Sequence, residues 1–271
     1  MKHERIFLDK TDERVYIDTY IVDEHKTKKA AVLVIPGGGY ENVCSDREGE
    51  PVALAFLARG LNAFVLHYRV GREGDVYPKQ LTDAARAMVC IRSRAEEFHI
   101  DPHKVYAVGF SAGGHLAGCL SVMFDTPDVT VPLGVSGTDI RPDAVALCYP
   151  VITAMAPTHV WSFNKLCGVS DFSEIPEETR KKFSLEHRVT ADTSPTYIWH
   201  TVTDTCVPPI GSLLYMEALG KAGVPYMGMM YPQGPHGLAL ADRTTSDGVA
   251  TLENPLAAAW VDNFLSFLGT L

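Results

Sequence analysis

A chain of 271 residues with 46% hydrophobic and 21% charged residues has the make-up of a folded globular protein, which excludes disordered and fibrous classes. Its formal net charge of -9 leaves no basic field to gather nucleic acid or an anionic membrane surface. The six cysteines (Cys44, Cys90, Cys119, Cys148, Cys167, Cys206) contain no C-x-x-C pair, so a zinc ribbon or redox dithiol is not indicated and most are expected to be reduced and buried.

The opening residues Met1 to Arg5 lead into a charged segment and not an apolar signal region, so a cytoplasmic location is expected. Glu4–Leu8 and Val15–Ile21 predict an antiparallel hairpin, with Asp9–Arg14 as its turn. The basic cluster Lys26, Lys28, Lys29 reads as a solvated turn. Six apolar runs then predict strands buried on both faces: Ala31–Ile35, Ala63–Leu66, Val105–Val108, Ala144–Cys148, Thr196–His200 and Tyr226–Met230. No stretch approaches the roughly 20 apolar residues of a membrane span.

Between the second and third runs, Pro78–Phe98 places Leu81, Ala84, Ala85, Met88, Ile91, Arg92 and Ala95 on one helical stripe. Asp101-Pro102 marks a turn into the Val105 strand. Pro255–Leu268 carries Leu256, Trp260, Phe264 and Phe267 in helical phase, a closing layer over the sheet. Alternating strands and helices predict an α/β fold, a mostly parallel central sheet with helices on both faces, in a single domain over residues 1–271. Thr153–Ser194 breaks the alternation: about 40 residues join two strands where roughly 4–6 are usual. It is either a small cap, with Trp161, Phe163 and Leu166 as its apolar surface, or a crossover helix with frayed ends.

The chemistry centres on Gly109-Phe110-Ser111-Ala112-Gly113, a G-x-S-x-G sequence lying between the Val105 strand and a helix-like run. Glycines two residues either side of a serine are needed where side chains would collide in a strained turn that thrusts the hydroxyl outward. Such a hydroxyl needs a base, and the base an orienting acid, in the chain order Ser, Asp/Glu, His. His236, in Gly234-Pro235-His236-Gly237, is the candidate base. His200 reads as a hydrogen-bonded core histidine and His115 as packing beside the site; His187 also follows the serine. Asp204, just past the Thr196 strand, is the candidate acid, preferred over Asp192 and Asp242 on chain order. Three glycines follow the Ala31 strand in Pro36-Gly37-Gly38-Gly39-Tyr40. The N–H groups of Gly38, Gly39 and Ala112 are the candidate oxyanion donors. A phosphate cradle is disfavoured because no Lys-Ser/Thr follows.

Together Val32 to Tyr40, Leu66-His67-Tyr68-Arg69-Val70, Val108 to Ala117, Trp199-His200-Thr201 with Asp204, and Pro232 to Gly237 resemble bacterial esterases and lipases of the α/β-hydrolase superfamily. These carry an H-G-G-G-type oxyanion loop, and the nearest branch is the carbohydrate acetyl esterases, acetyl-xylan esterase-like. This chain departs from them at Pro36, where histidine is common. The resemblance implies hydrolysis of short acyl esters, acetyl groups on sugars above all, with a small-molecule or oligosaccharide ester substrate and neither metal nor organic cofactor. Homo-oligomerisation stays open. The rival readings are an arylformamidase-like or other amide hydrolase on the same triad, a catalytically silent binding module, and a metal hydrolase, for which no H-E-x-x-H constellation is present.

Overall fold

A computed structural model describes residues 1–23 and 26–271. The strands are β1 (Arg5–Phe7), β2 (Tyr16–Tyr20), β3 (Lys29–Ile35), β4 (Asn62–His67), β5 (Ile100–Phe110), β6 (Val145–Cys148), β7 (Thr196–Thr201) and β8 (Tyr226–Tyr231). The helices are α1 (Ser45–Glu48), α2 (Glu50–Leu57), α3 (Lys79–Ser93), α4 (Ser111–Val122), α5 (Pro127–Leu133), α6 (Gly137–Ile140), α7 (Val160–Cys167), α8 (Glu177–Phe183), α9 (Ile210–Ala222) and α10 (Trp260–Leu268).

The strands form one sheet in the order β1-β2-β4-β3-β5-β6-β7-β8. The β1/β2 and β2/β4 pairs are antiparallel and the rest parallel, which matches the expected mostly parallel sheet. The period of two along each strand sends neighbouring side chains to opposite faces. Leu33, Ile35, Ala107 and Leu147 join α3 and α4 in one core. Val32, Val34, Val108, Phe110 and Trp199 join α2 and α10 in the other.

The structure corrects several expectations. β8 is the sheet edge, with Tyr226 42% exposed, so it is not buried on both faces. Asp101 and Pro102 lie within β5, at the register irregularity opposite Lys29/Ala31, and not in a turn before it. Leu256 precedes the final helix and is exposed, while Trp260, Phe264 and Phe267 are buried as expected. All six cysteines are unbridged, but only Cys119 and Cys148 are buried. Among the described residues no helix is long and apolar enough to cross a membrane.

The segment between β6 and β7 holds α7, α8 and two short 3-10 turns. Its Phe163, Leu166, Ile175, Phe183 and Leu185 are buried in the same core as Leu81, Met88 and Leu116. Apolar burial of this size fixes the excursion against α3 and α4. Trp161, two residues before Phe163 on α7, stays exposed.

Candidate active site

β5 ends at Phe110 and α4 starts at Ser111, whose φ of +53° lies in the left-handed region that non-glycine residues rarely adopt. The neighbouring glycines make this turn feasible. A Cβ on Gly109 would sit 2.2 Å from the Gly113 carbonyl oxygen, and one on Gly113 would sit 2.2 Å from that of Ile35. Both are far inside contact distance, so a side chain on Gly109 would push the turn apart and one on Gly113 would push it off the end of β3. Ser111 is 7% exposed at the first turn of α4, where the helix dipole favours negative charge.

Two loops from the far half of the sheet bring the remaining groups together. His236 Nε2 lies 2.8 Å from Ser111 Oγ, and His236 Nδ1 lies 2.6 Å from Asp204 Oδ2. With Nδ1–H donating to the carboxylate, Nε2 is left to accept the serine hydroxyl proton. Thr203 ties the two loops, since its Oγ1 accepts from Gly234 N–H at 3.0 Å and donates to Gly234 O at 3.1 Å. Asp192 and Asp242 make no contact with His236: Asp192 is exposed beside Arg141, and Asp242 caps its own turn through Thr244. His187 lies exposed next to Glu186.

Asp204 is more fully supported than chain order suggested. Its Oδ1 accepts the N–H groups of Cys206 at 2.8 Å and Val207 at 2.9 Å, while Oδ2 accepts His200 Nε2 at 3.2 Å as well as His236. Burial alone pushes this carboxyl upward. The hydrogen bonds from His200 and His236, the His236 charge and the Val207 amide outweigh it and hold Asp204 far below the usual carboxylate range. His200 is the buried, hydrogen-bonded strand histidine its position implied, but one of its partners is Asp204. Because Nε2 faces Asp204 and the Val207 carbonyl, it carries the proton, and Nδ1 accepts the Ser212 hydroxyl at 2.8 Å.

The loop after β3 lies against the serine on its other side. Gly38 (φ +123°) and Gly39 (φ +65°) adopt conformations suited to glycine, and a Cβ on Gly38 would lie 2.2 Å from the Asn42 carbonyl oxygen. Gly38 O accepts the N–H groups of Glu41 and Asn42 at 3.0 Å each, which closes the turn. Among the described residues the N–H groups of Gly38, Gly39 and Ala112 donate to no protein acceptor. The loop runs close to Ser111: the Cβ position of Gly37 is 3.0 Å from Ser111 Cβ.

Two buried residues that sequence reasoning missed hold this loop. Glu48 Oε2 accepts the Gly37 N–H at 2.8 Å, and Glu48 Oε1 accepts the Tyr149 hydroxyl at 2.8 Å. The same phenol oxygen accepts the Ala239 N–H at 2.9 Å, and the Tyr149 ring packs edge-on to His236 with centroids 5.0 Å apart. One carboxyl and one phenol thus connect the loop at residues 37–39 to the histidine loop. Tyr149 has φ +37°, a strained backbone held by its surroundings. Burial raises the Glu48 carboxyl, against hydrogen bonds from Tyr149 and Gly37. His115 makes a second tie. Its Nε2–H donates to Phe183 O at 2.8 Å, so its Nδ1 accepts the Tyr40 hydroxyl at 2.8 Å, and burial lowers it to about 4.

Among the described residues no three His, Cys, Asp or Glu side chains are grouped to hold a metal ion. The arrangement can deprotonate a serine beside unpaired backbone donors, the elements of acyl transfer.

Relatives were found at three levels. The chain is 40% identical over 219 residues, 79% of its length, to an endo-1,4-beta-xylanase B of Butyrivibrio fibrisolvens. It is 28% identical over 210 residues, 76% of its length, to an acetylxylan esterase of Xylanibacter ruminicola. It spans only 33% and 40% of those two proteins. A crystal structure of an acetyl ester-xyloside bifunctional hydrolase from Caldicellulosiruptor lactoaceticus superposes with a TM-score of 0.82 at 32% identity, over 98% of this chain and 96% of that one. The family model described as BD-FAE matches residues 17–219, from β2 through most of α9 and so including both Ser111 and Asp204. The protein therefore has the α/β-hydrolase fold and belongs to the BD-FAE family.

Proposed function

We propose that this protein is a serine carboxylic-ester hydrolase that removes short acyl groups, acetyl foremost, from sugars such as xylo-oligosaccharides. The observation that carries the reading is the unbroken chain Ser111 Oγ, His236, Asp204 at 2.8 Å and 2.6 Å. The names of the acetylxylan esterase and the acetyl ester-xyloside hydrolase support the substrate class.

In this reading His236 Nε2 takes the Ser111 proton as Oγ attacks the ester carbonyl. Negative charge on the tetrahedral oxygen is met by the N–H groups of Gly38, Gly39 and Ala112. Asp204 holds the imidazole and stabilises the imidazolium, which passes its proton to the departing sugar oxygen. Water then attacks the acyl-serine through the same base, releasing the acid and restoring Ser111.

Ser111→Ala is expected to lower kcat toward 4-nitrophenyl acetate and acetylated xylo-oligosaccharides by a factor on the order of 10⁴–10⁶, with an unchanged thermal midpoint. Retained turnover would refute the assignment. An acyl series on one alcohol sharpens it: rates should fall away beyond butyrate, whereas a preference for octanoate would rule out a short-acyl enzyme.

A further inference from the structure

Of the three tryptophans, Trp199 and Trp260 are wholly buried, whereas Trp161 is 47% exposed. It is nevertheless held in place. Its Nε1–H donates to Glu41 Oε2 at 2.9 Å, and Lys165 Nζ sits 4.4 Å from the ring centroid while pairing with Glu41 Oε1 at 3.1 Å. Two side chains, Glu41 and Lys165, thus fix an aromatic ring that lies outside both core clusters. Aromatic rings fixed in this way, with the polar edge satisfied and apolar surface left open, are suited to ligand contact.

The ring lies at the candidate site. A Cβ on Gly39 would be 3.4 Å from Trp161 Cδ1 and 3.9 Å from His159 Cε1. His159, at the head of α7, accepts or donates through Nδ1 to Ser162 Oγ at 2.8 Å, and its Nε2 has no protein partner among the described residues. Burial and the His236 charge lower its proton affinity, against the opposing pull of Asp204. It stands beside Gly39 with a hydrogen-bonding nitrogen to spare.

We propose that His159 and Trp161 form the subsite for the sugar part of the ester, with a pyranose ring stacked on the exposed indole and its hydroxyls bonded to His159 Nε2 and the Glu41/Lys165 pair. This rests on the esterase reading above. The departing oxygen must lie within reach of His236, which returns the proton to it, and the charges of His236 and Asp204 both act on His159. A pyranose has apolar C–H faces and a rim of hydroxyls, which fits a flat ring bordered by fixed polar groups. A fatty alcohol would instead leave Glu41 and Lys165 facing hydrocarbon.

Steady-state kinetics on acetylated xylobiose and on ethyl acetate, whose alcohol is too small to reach the ring, test the subsite. Trp161→Ala and His159→Ala should each raise KM for the sugar ester about tenfold and alter ethyl acetate hydrolysis less than about twofold. Trp161→Phe should recover most of the loss. As a binding readout, xylobiose added to Ser111→Ala protein should change the fluorescence of the one exposed tryptophan, and the change should vanish when Trp161→Phe is added. Equal losses on both esters, or no fluorescence response to xylobiose, would overturn the subsite. Absence of ethyl acetate hydrolysis in the unaltered protein would instead overturn the esterase reading, and fluorescence alone would then decide the subsite.

Discussion

Two buried carboxyl groups flank the Ser111 site, Asp204 in the loop after β7 and Glu48 at the end of α1, and their electrostatic settings are opposite. Asp204 accepts two imidazoles and two backbone N–H groups, which outweigh burial and hold it far below the usual carboxylate range. Glu48 accepts one N–H and one hydroxyl, and burial wins, so its carboxyl is raised. Three differences set the contrast: Asp204 has more donors, lies beside the His236 charge and is less completely desolvated than Glu48. In the proposed mechanism only Asp204 must meet a developing positive charge. Glu48 is a scaffold group, joining the Gly37 loop to Tyr149 and through it to the Ala239 segment.

Breaking the first member of the pair should have the largest effect. Asp204→Asn is expected to lower kcat by about 10⁴, because the imidazole loses both its tautomer control and its countercharge. If Asp192→Asn is the worse variant, the acid has been misplaced. Glu48→Leu comes next: it strands the Gly37 N–H and the Tyr149 hydroxyl, each costing roughly 1–3 kcal/mol, and should lower kcat by about 10² as the oxyanion-side loop relaxes. Urea midpoints and initial rates measured together check both numbers. Tyr149→Phe leaves Ala239 N–H without its acceptor but keeps the ring beside His236. Its loss should be smaller, about tenfold in kcat and about 1–2 kcal/mol in stability.

The smallest effect is the most direct comparison of the two groups, because their contributions run in opposite directions with pH. The Asp204 carboxyl is lowered from an ordinary 3.8, so the stability it contributes is present above that value and lost as pH falls through its folded pKa. Glu48 is raised from an ordinary 4.5, so its contribution is complete below that value and lost as pH rises through its folded pKa. Urea midpoints taken from pH 3 to pH 8 should show the stability deficit of Glu48→Gln shrinking as pH rises. The deficit of Asp204→Asn should grow as pH rises from 3. Parallel pH curves for the two variants would refute the contrast.

Much of the architecture was legible from local patterns. The short apolar runs mark the parallel strands because a chain buried on both faces has no polar side to show. The glycine at 109 marks the turn because its steric requirement, the Gly113 carbonyl, lies within five consecutive residues, whereas Gly113 is required by the close approach of Ile35 and Pro36. Chain order and turn chemistry also singled out His236 and Asp204, and the fold brings them to Ser111. Glu48 and Tyr149 carried no such mark. Their partners to each other lie 101 residues apart, and a lone acidic residue in a short helix reads as solvated until its environment is known. His200 was legible as a core residue but not as a donor to Asp204, because that contact depends on how the loop after β7 turns back.

The amino-acid sequence alone determined the alternation of strands and helices, the strained turn at Ser111 and the glycine loop opposite it, since each depends on sterics or periodicity within a few residues. Only the tertiary structure decided that β8 is an edge, that Glu48 and Tyr149 link the two loops, and that Trp161 stands beside Gly39 while Phe163 is buried. Those outcomes depend on which surfaces meet across long sequence separations. An apolar run or a single aromatic residue looks the same before packing has chosen its neighbours.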